Sequence, residues 1–162
     1  MEDSEKKLPN IRKATIKDVE ELRNIYFEFM QGVAELDPFY KQDAEHWHSE
    51  ESLHDIIKDL IKKNRRLFLL EIDGKAVGFI DIRIKKREEV YKIRKTGHIE
   101  SIYIKPELRG KGYSKLLIEK ATEWFKSKGL ENFTVGTYAP DKKAREFWEK
   151  QGFKEYFVLY HK

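Results

Sequence analysis

The sequence predicts a single mixed α/β domain, and three observations carry that prediction. The length of 162 residues favours one domain and suffices to bury a core without staples. Apolar residues make up 40% and charged residues 38%, a globular rather than a disordered composition. Hydrophobic periodicity then switches between strand and helix periods in the order β-α-α-β-β-β-α-β-α-β, with no repeats and no linker.

The elements follow in order. The polar stretch 1–8 is expected to be flexible, and 9–162 to form the domain. Ile11–Ala14 reads as a short strand. Thr15, with Asp18 three positions on, makes a capping-box start. Val19, Leu22, Tyr26, Phe29, Met30 and Val33 recur at helical spacing, which predicts a helix over about 16–33. A long connection, AELDPFYKQDAEHWH, leads to Ser49, the cap of a second helix with core face Leu53, Ile56, Ile57, Leu60 and Ile61. RLFLLEI is a strand, Asp73-Gly74 a hairpin turn, and AVGFIDIRI the return strand with Val77, Phe79 and Asp81 on one face. A charged connection, KKREEVYKIRK, precedes the strand GHIESIYI (Gly97–Ile104). A third helix is expected over about 113–128, with the stripe Leu117, Ala121, Trp124 and Phe125 and Gly129 as its C-cap. NFTVGTY is a strand, and DKKAREFWEKQ a short helix stopped by Gly152. FKEYFVLY is expected as a terminal strand, whose apolar YFVLY offers a homodimer interface.

Several function classes are excluded. With no cysteine there are no disulfides, no thiolate catalysis and no cysteine zinc site, and a reducing cytoplasm is the expected compartment. No signal peptide and no apolar run of membrane-spanning length is visible, so no membrane partner is expected. The net charge of +4 permits an anionic ligand without requiring nucleic acid. Arg83–Lys95 carries seven basic residues against Glu88 and Glu89. It lacks the interleaved aromatics of single-strand binders and suits a solvated strand edge better than a nucleic-acid surface. His46, His48 and His54 match no zinc spacing, so no metal is expected.

The chemistry concentrates in ELRGKGYSKLL, Glu107–Leu117. The P-loop spacing fails, and the third glycine of a dinucleotide fingerprint is replaced by Lys115. Two readings remain. One is a basic turn. The other is a pyrophosphate cradle, in which glycines leave N–H groups uncovered and the next helix adds its own free N–H groups and dipole.

The wider pattern resembles motif A of the GNAT superfamily, the acetyl-CoA-dependent N-acetyltransferases. Its Arg/Gln-x-x-Gly-x-Gly/Ala after a strand is matched by Arg109, Gly112 and Ser114. The resemblance continues upstream through HIESIYIKPEL. Downstream, Asp141, Ala144, Phe147, Trp148, Gly152 and Phe153 follow the family's Asn-x-x-Ala-x-x-x-Tyr-x-x-x-Gly-Phe. It implies a central mixed, mostly antiparallel sheet flanked by helices, with strands splayed at the cofactor site. It also implies direct acetyl transfer from acetyl-CoA (coenzyme A being released) to an amine. There are three departures. Ser114 stands for the small Gly/Ala, Asp141 for an asparagine that can donate, and Trp148 for a tyrosine that protonates the leaving thiolate.

The resemblance assigns roles. The diphosphate falls to the N–H groups of Gly110, Gly112, Tyr113 and Ser114, with Arg109 and Lys111 nearby. The thioester oxygen falls to strand N–H groups near Ile102, Tyr103 and Ile104. Asp141, Ala144 and Trp148 complete the cofactor side. Glu100 is the expected base for the acceptor ammonium, with His98 the alternative on the same strand face. Tyr138 is the candidate for a displaced acid, or a packing tyrosine. Between Glu35 and Asp59 eight acids face only Lys41 and Lys58, and Phe39, Tyr40 and Trp47 add aromatic surface. That is an acidic rim for a cationic amine, or simply a solvated face. A polyamine or other small cationic amine is the expected acceptor. A protein N-terminus or lysine is the second choice, and a non-catalytic acetyl-CoA-binding module the competing class.

Overall fold

A computed structural model describes residues 8–162. The stretch expected to be flexible therefore lies, apart from Leu8, outside the described residues. Five strands form one mixed sheet in the order β1 (Asn10–Lys13), β2 (Arg65–Ile72), β3 (Lys75–Lys86), β4 (Lys95–Ile104) and β5 (Phe133–Val135). The first four are antiparallel neighbours, and β5 runs parallel to β4. One face of the sheet carries α1 (Val19–Leu36), with α2 (Ala44–Trp47) and α3 (Glu50–Ile61) alongside. The other face carries α4 (Tyr113–Ser127) and α5 (Lys142–Lys150).

Local signals set the boundaries. Thr15 and Asp18 make both capping-box bonds at a 3-10 turn, Ile16–Asp18, from which α1 continues. Ser49 caps α3 by accepting from the Ser52 N–H. Asp73 and Gly74 both take positive φ, 56° and 72°, as a two-residue hairpin turn requires. Gly129, at φ 73°, ends α4.

The core has two halves, one on each sheet face. Leu22, Ile25, Leu67, Leu69, Phe79 and Tyr103 pack under α1. Phe68, Ile80, Ile82, Ile99, Ile104, Leu117, Phe125 and Trp148 pack under α4 and α5. Gly97 sits where a Cβ would lie 2.8 Å from the Phe125 ring, so only glycine lets α4 approach β4 there. An ion-pair clasp holds the β1 edge: Arg12 bonds Asp18 and Glu71, at 2.7 Å in each case.

Four expectations need correction. Val77 does not share a face with Phe79, because a bulge at Leu70/Glu71 shifts the register; Val77 packs toward α4 and Phe79 toward α1. Ile61 is 68% exposed rather than part of the α3 core face. Strand β5 is shorter than NFTVGTY, since pairing with β4 stops at Val135. FKEYFVLY forms no strand: beyond Phe153 the chain is irregular and exposed. Its aromatic and branched residues give strand propensity, but no strand of the sheet pairs with it.

Candidate active site

Strand β4 builds the site. Its pairing with β5 covers only Gly97, His98 and Ile99. From Glu100 to Ile104 the β5 side of β4 has no strand partner among the described residues, so a slot opens between the two strands. The opening starts at Glu100, two positions before the expected Ile102. A second bulge explains this: Asp81 pairs with Ser101 and Ile82 with Ile99, which leaves Glu100 as the extra residue. Ile102 and Ile104 then point into the α4 core, and Tyr103 packs beneath α1.

The slot leads into the glycine stretch. Gly110 and Gly112 take φ of 76° and 85°, and Gly112 is the N-cap of α4 without a side-chain cap bond. Among the described residues no backbone acceptor takes the N–H of Gly110, Lys111, Gly112, Tyr113 or Ser114. Nothing stands within 4 Å of a Cβ built on either glycine, so conformation rather than crowding demands glycine there. The result is a run of open donors at the positive end of a 15-residue helix, which fits a diphosphate. Arg109 is tied back instead: its Nε donates to the Ile104 carbonyl at 2.9 Å, and its guanidinium lies 5.7 Å from the Tyr103 ring. It fixes the end of β4 against the glycine turn.

The α1 face of β4 carries the titratable groups. His98 Nδ1 lies 2.7 Å from Thr134 Oγ1, whose hydroxyl donates to the Gly97 carbonyl at 3.4 Å. With the Thr134 hydroxyl proton on the Gly97 carbonyl, Nδ1 carries the ring proton and the Nε2 lone pair is free. Nε2 lies 4.0 Å from Glu100 Oε2. Burial lowers the His98 pKa below its ordinary value; Lys85 and Arg83 add to this, and Glu100 opposes it. Glu100 Oε1 lies 3.3 Å from Arg83 Nε and 3.6 Å from Lys85 Nζ. The Arg83 contact lacks hydrogen-bond geometry, so Oε1 has a charged neighbour yet keeps its acceptor capacity.

Beside this pair lies a buried cluster the sequence reading did not assemble. Asp81 is 1% exposed. It accepts from Tyr26 Oη at 2.5 Å and from Arg65 Nε at 2.8 Å, and Arg65 also pairs with Asp59. Tyr26 Oη lies 3.3 Å from Ser101 Oγ. Burial and the Asp81 charge push the Tyr26 pKa well up, so its hydroxyl stays protonated. An acid inside the apolar run FIDIRI was the available signal, but its partners come from two distant segments. A cavity of about 290 Å³ opens next to the cluster, lined by Tyr26, Trp47, Asp55, Asp59 and Arg65 among others.

The remaining candidates are placed differently. Asp141 caps α5 by accepting from the Ala144 N–H at 2.9 Å, so these two residues bond each other. Trp148 is 6% exposed and packs edge-on against Phe147 and Phe153, inside the core. The Tyr138 ring meets Tyr40 edge-on at 4.7 Å, and burial first, then Tyr40, pushes its pKa up to about 12. The acids of 35–59 do not act together. Asp37 and Asp43 cap backbone N–H groups, and Asp55 and Asp59 pair with Lys58 and Lys62. Trp47 packs against Phe27 and donates to the Arg23 carbonyl, away from the contact of Phe39 with Tyr40.

The chain is similar to known proteins in family and fold. The model of the acetyltransferase (GNAT) family matches residues 19–153. An uncharacterized N-acetyltransferase of Methanocaldococcus jannaschii is 29% identical over 152 residues, covering 92% of this chain and 62% of that protein. The chain thus spans under two thirds of that relative's length. A second uncharacterized N-acetyltransferase, from Archaeoglobus fulgidus, is 25% identical over 145 residues, 89% of this chain and 92% of that one. The aminoglycoside N-acetyltransferase AAC(6')-Iy, solved in complex with CoA, superposes with a TM-score of 0.73 at 23% identity, covering 96% of this chain and 95% of that one. No helix among the described residues is long and apolar enough to cross a membrane.

Proposed function

The chain belongs to the GNAT family of acetyltransferases, whose members use acetyl-CoA, and on that premise we propose that it transfers an acetyl group directly to a small cationic primary amine. One observation carries the reading. Strand β4 loses its β5 partner at Glu100, runs on into the open N–H groups of the glycine turn, and bears His98 and Glu100 on its α1 face.

Acetyl-CoA, when bound, supplies an activated thioester carbonyl. The N–H groups of Gly110, Gly112, Tyr113 and Ser114 hold the diphosphate, with Lys111 beside them. Arg109 acts by holding the turn against β4. The free backbone of Glu100–Ile104 pairs with the pantetheine arm and offers an N–H where charge develops on the oxygen. Trp148 backs this side from within the core.

His98 Nε2 accepts the proton lost by the acceptor ammonium. Its lowered pKa keeps it neutral, and so ready to accept, at neutral pH. Glu100, 4.0 Å away, stabilises the imidazolium that forms. Glu100 is thereby a partner in the base rather than its sole seat. Tyr138, with its pKa raised, is a poor proton donor to a thiolate, and solvent fills that role. The exposed Glu35, Glu45, Glu50 and Glu51 favour the approach of cations, and a small diamine or polyamine is the acceptor class proposed. The lack of cysteine suits a reducing cytoplasm.

Thiol release from acetyl-CoA is to be followed against spermidine, small diamines, amino acids and short peptides with free N-termini or lysines. Turnover confined to the small polycations supports the proposal. Turnover on peptides alone would replace the acceptor class. No turnover on any amine, with coenzyme A still raising the melting temperature, would make the chain a binding module.

A further inference from the structure

The basic excess of the molecule sits in one projecting hairpin. Residues 83–95 carry seven lysines and arginines against Glu88 and Glu89, a surplus of five where the whole chain has +4. The structure places this run at the join of β3 and β4. Strand β2 pairs with β3 only as far as Arg83, and β5 meets β4 only from Gly97. Past those points Lys85 and Lys86 pair only with Thr96 and Lys95. The two strands therefore run on as a ribbon beyond the body of the sheet.

The ribbon's tip combines free cations with exposed apolar groups. Arg83 and Lys85 lie beside Glu100. Lys86, Arg87, Lys92, Arg94 and Lys95 make no ion pair among the described residues. The tip is tied together: the Arg87 N–H donates to the Arg94 carbonyl at 2.8 Å, and the Arg87 guanidinium lies 4.3 Å from the Tyr91 ring. Between the cations, Val90, Tyr91 and Ile93 are 79%, 47% and 46% exposed. Charges that merely keep a strand edge solvated need no apolar side chains among them. Two of the three are aliphatic and cannot stack on bases, which disfavours a nucleic acid. An apolar tip ringed by lysine and arginine is the chemistry of a lipid interface.

We propose that the β3–β4 hairpin docks the protein on an anionic phospholipid surface. Val90, Tyr91 and Ile93 enter the headgroup boundary, and Lys86, Lys92, Arg94 and Lys95 meet the lipid phosphates. This mode lies on the bilayer and needs no spanning helix. It also leaves the cofactor side clear. Strand β4 runs from Lys95 to Ile104, about 30 Å at about 3.3 Å per residue, and the glycine turn follows its far end. The cradle of a docked molecule is thus held away from the lipid.

The test is co-sedimentation of the full chain with vesicles, which needs neither catalysis nor an acceptor. The protein should pellet with vesicles of equal parts phosphatidylcholine and phosphatidylglycerol, stay in solution with phosphatidylcholine alone, and be released by high salt. A basic residue at such a surface is worth about fivefold in binding, so Lys92→Gln with Arg94→Gln should weaken it about thirtyfold. Val90→Ser with Ile93→Ser keeps the charge and should weaken it about tenfold or more. Both double variants should keep the wild-type melting temperature, since these side chains lie outside both halves of the core. No pelleting with the anionic vesicles overturns the proposal, as does equal binding to phosphatidylcholine alone. Binding that both variants retain also overturns it and moves the contact to another surface, such as the exposed Tyr156–Tyr160. Retention of a single-stranded RNA oligonucleotide by a chain that ignores vesicles would assign the hairpin to nucleic acid instead. Amide exchange of the wild type gives a check without substitutions. Residues 86–95 should gain protection on anionic vesicles; protection elsewhere alone, or nowhere, overturns the proposal.

Discussion

Replacing Glu100 by glutamine should lower the pKa of His98, and the size of the shift follows from one distance. Glu100 Oε2 lies 4.0 Å from His98 Nε2, and its charge acts to raise the histidine's pKa. At that separation a charge pair interacts by about 4 kcal/mol at an effective dielectric of about 20 and about 1 kcal/mol in water. At 1.36 kcal/mol per pKa unit these bounds are about 3 and 0.7 units. The Glu100 side chain is 27% exposed and already faces Arg83 and Lys85, which places the effect near the lower bound, at about one unit. The ring C–H signals of His98, followed by NMR against pH, read this without any substrate. His98→Ala identifies them among the five histidines. Wild-type His98 should titrate below 6.5 and the variant about one unit lower still. Turnover at neutral pH should fall by only about tenfold, since a weaker base persists. An unmoved His98 titration would refute the pairing. An unmoved titration together with a loss of 100-fold or more would make Glu100 the base itself.

Four further outcomes are expected. Gly112→Glu should abolish the rise in melting temperature that coenzyme A gives, because it places a carboxylate among the open N–H groups; Gly112→Ala, forced to φ 85°, should cost about 1–2 kcal/mol of stability by urea unfolding. Gly97→Ala should cost about 1–3 kcal/mol, since its Cβ would stand 2.8 Å from the Phe125 ring; a variant as stable as wild type would mean that α4 shifts freely. Asp18→Asn should cost about 2 kcal/mol at pH 7, because Arg12 holds the Asp18 pKa at about 2 against 3.8. A depressed carboxyl stabilises above its unfolded pKa and loses that contribution as pH falls through the folded value. The gap between the urea midpoints should therefore close between pH 4 and pH 2, and a gap that is constant with pH would show that Asp18 acts by packing alone.

What the sequence disclosed were features whose cause is local. The Thr15–Asp18 capping box, the Asp73-Gly74 turn and the positive-φ pair Gly110 and Gly112 depend on residues a few positions apart. What it hid depends on pairing across the sheet. The bulge that makes Glu100 an extra residue puts Glu100 and Ser101 on the same face, and no alternation rule within β4 foretells it. Asp81, Arg65 and Tyr26 are separated by 16 and 55 residues and meet only because β2, β3 and α1 are stacked. The acids of 35–59 looked like one field in the sequence, yet the fold diverts four of them to helix caps and ion pairs. The tail misled in the opposite way: its residues are those of a strand, yet no strand of the sheet pairs with it.

The parallel contact between β4 and β5 is only three residue pairs long. A zipper that short is a weak seam of the sheet, and the chain after Val135 is held by it, by the packing of Phe147, Trp148 and Phe153, and by the Tyr138–Tyr40 and His161–Phe39 contacts. Denaturant or heat should part this seam first, with the amides of Phe133–Val135 exchanging ahead of those in β3. On the proposed reading the pantetheine arm enters the gap that begins at the same seam, so a ligand seated there would work as a rivet. The molecule should become harder to unravel from its C-terminal third whenever it is loaded, and easiest to cut there by a protease when it is empty.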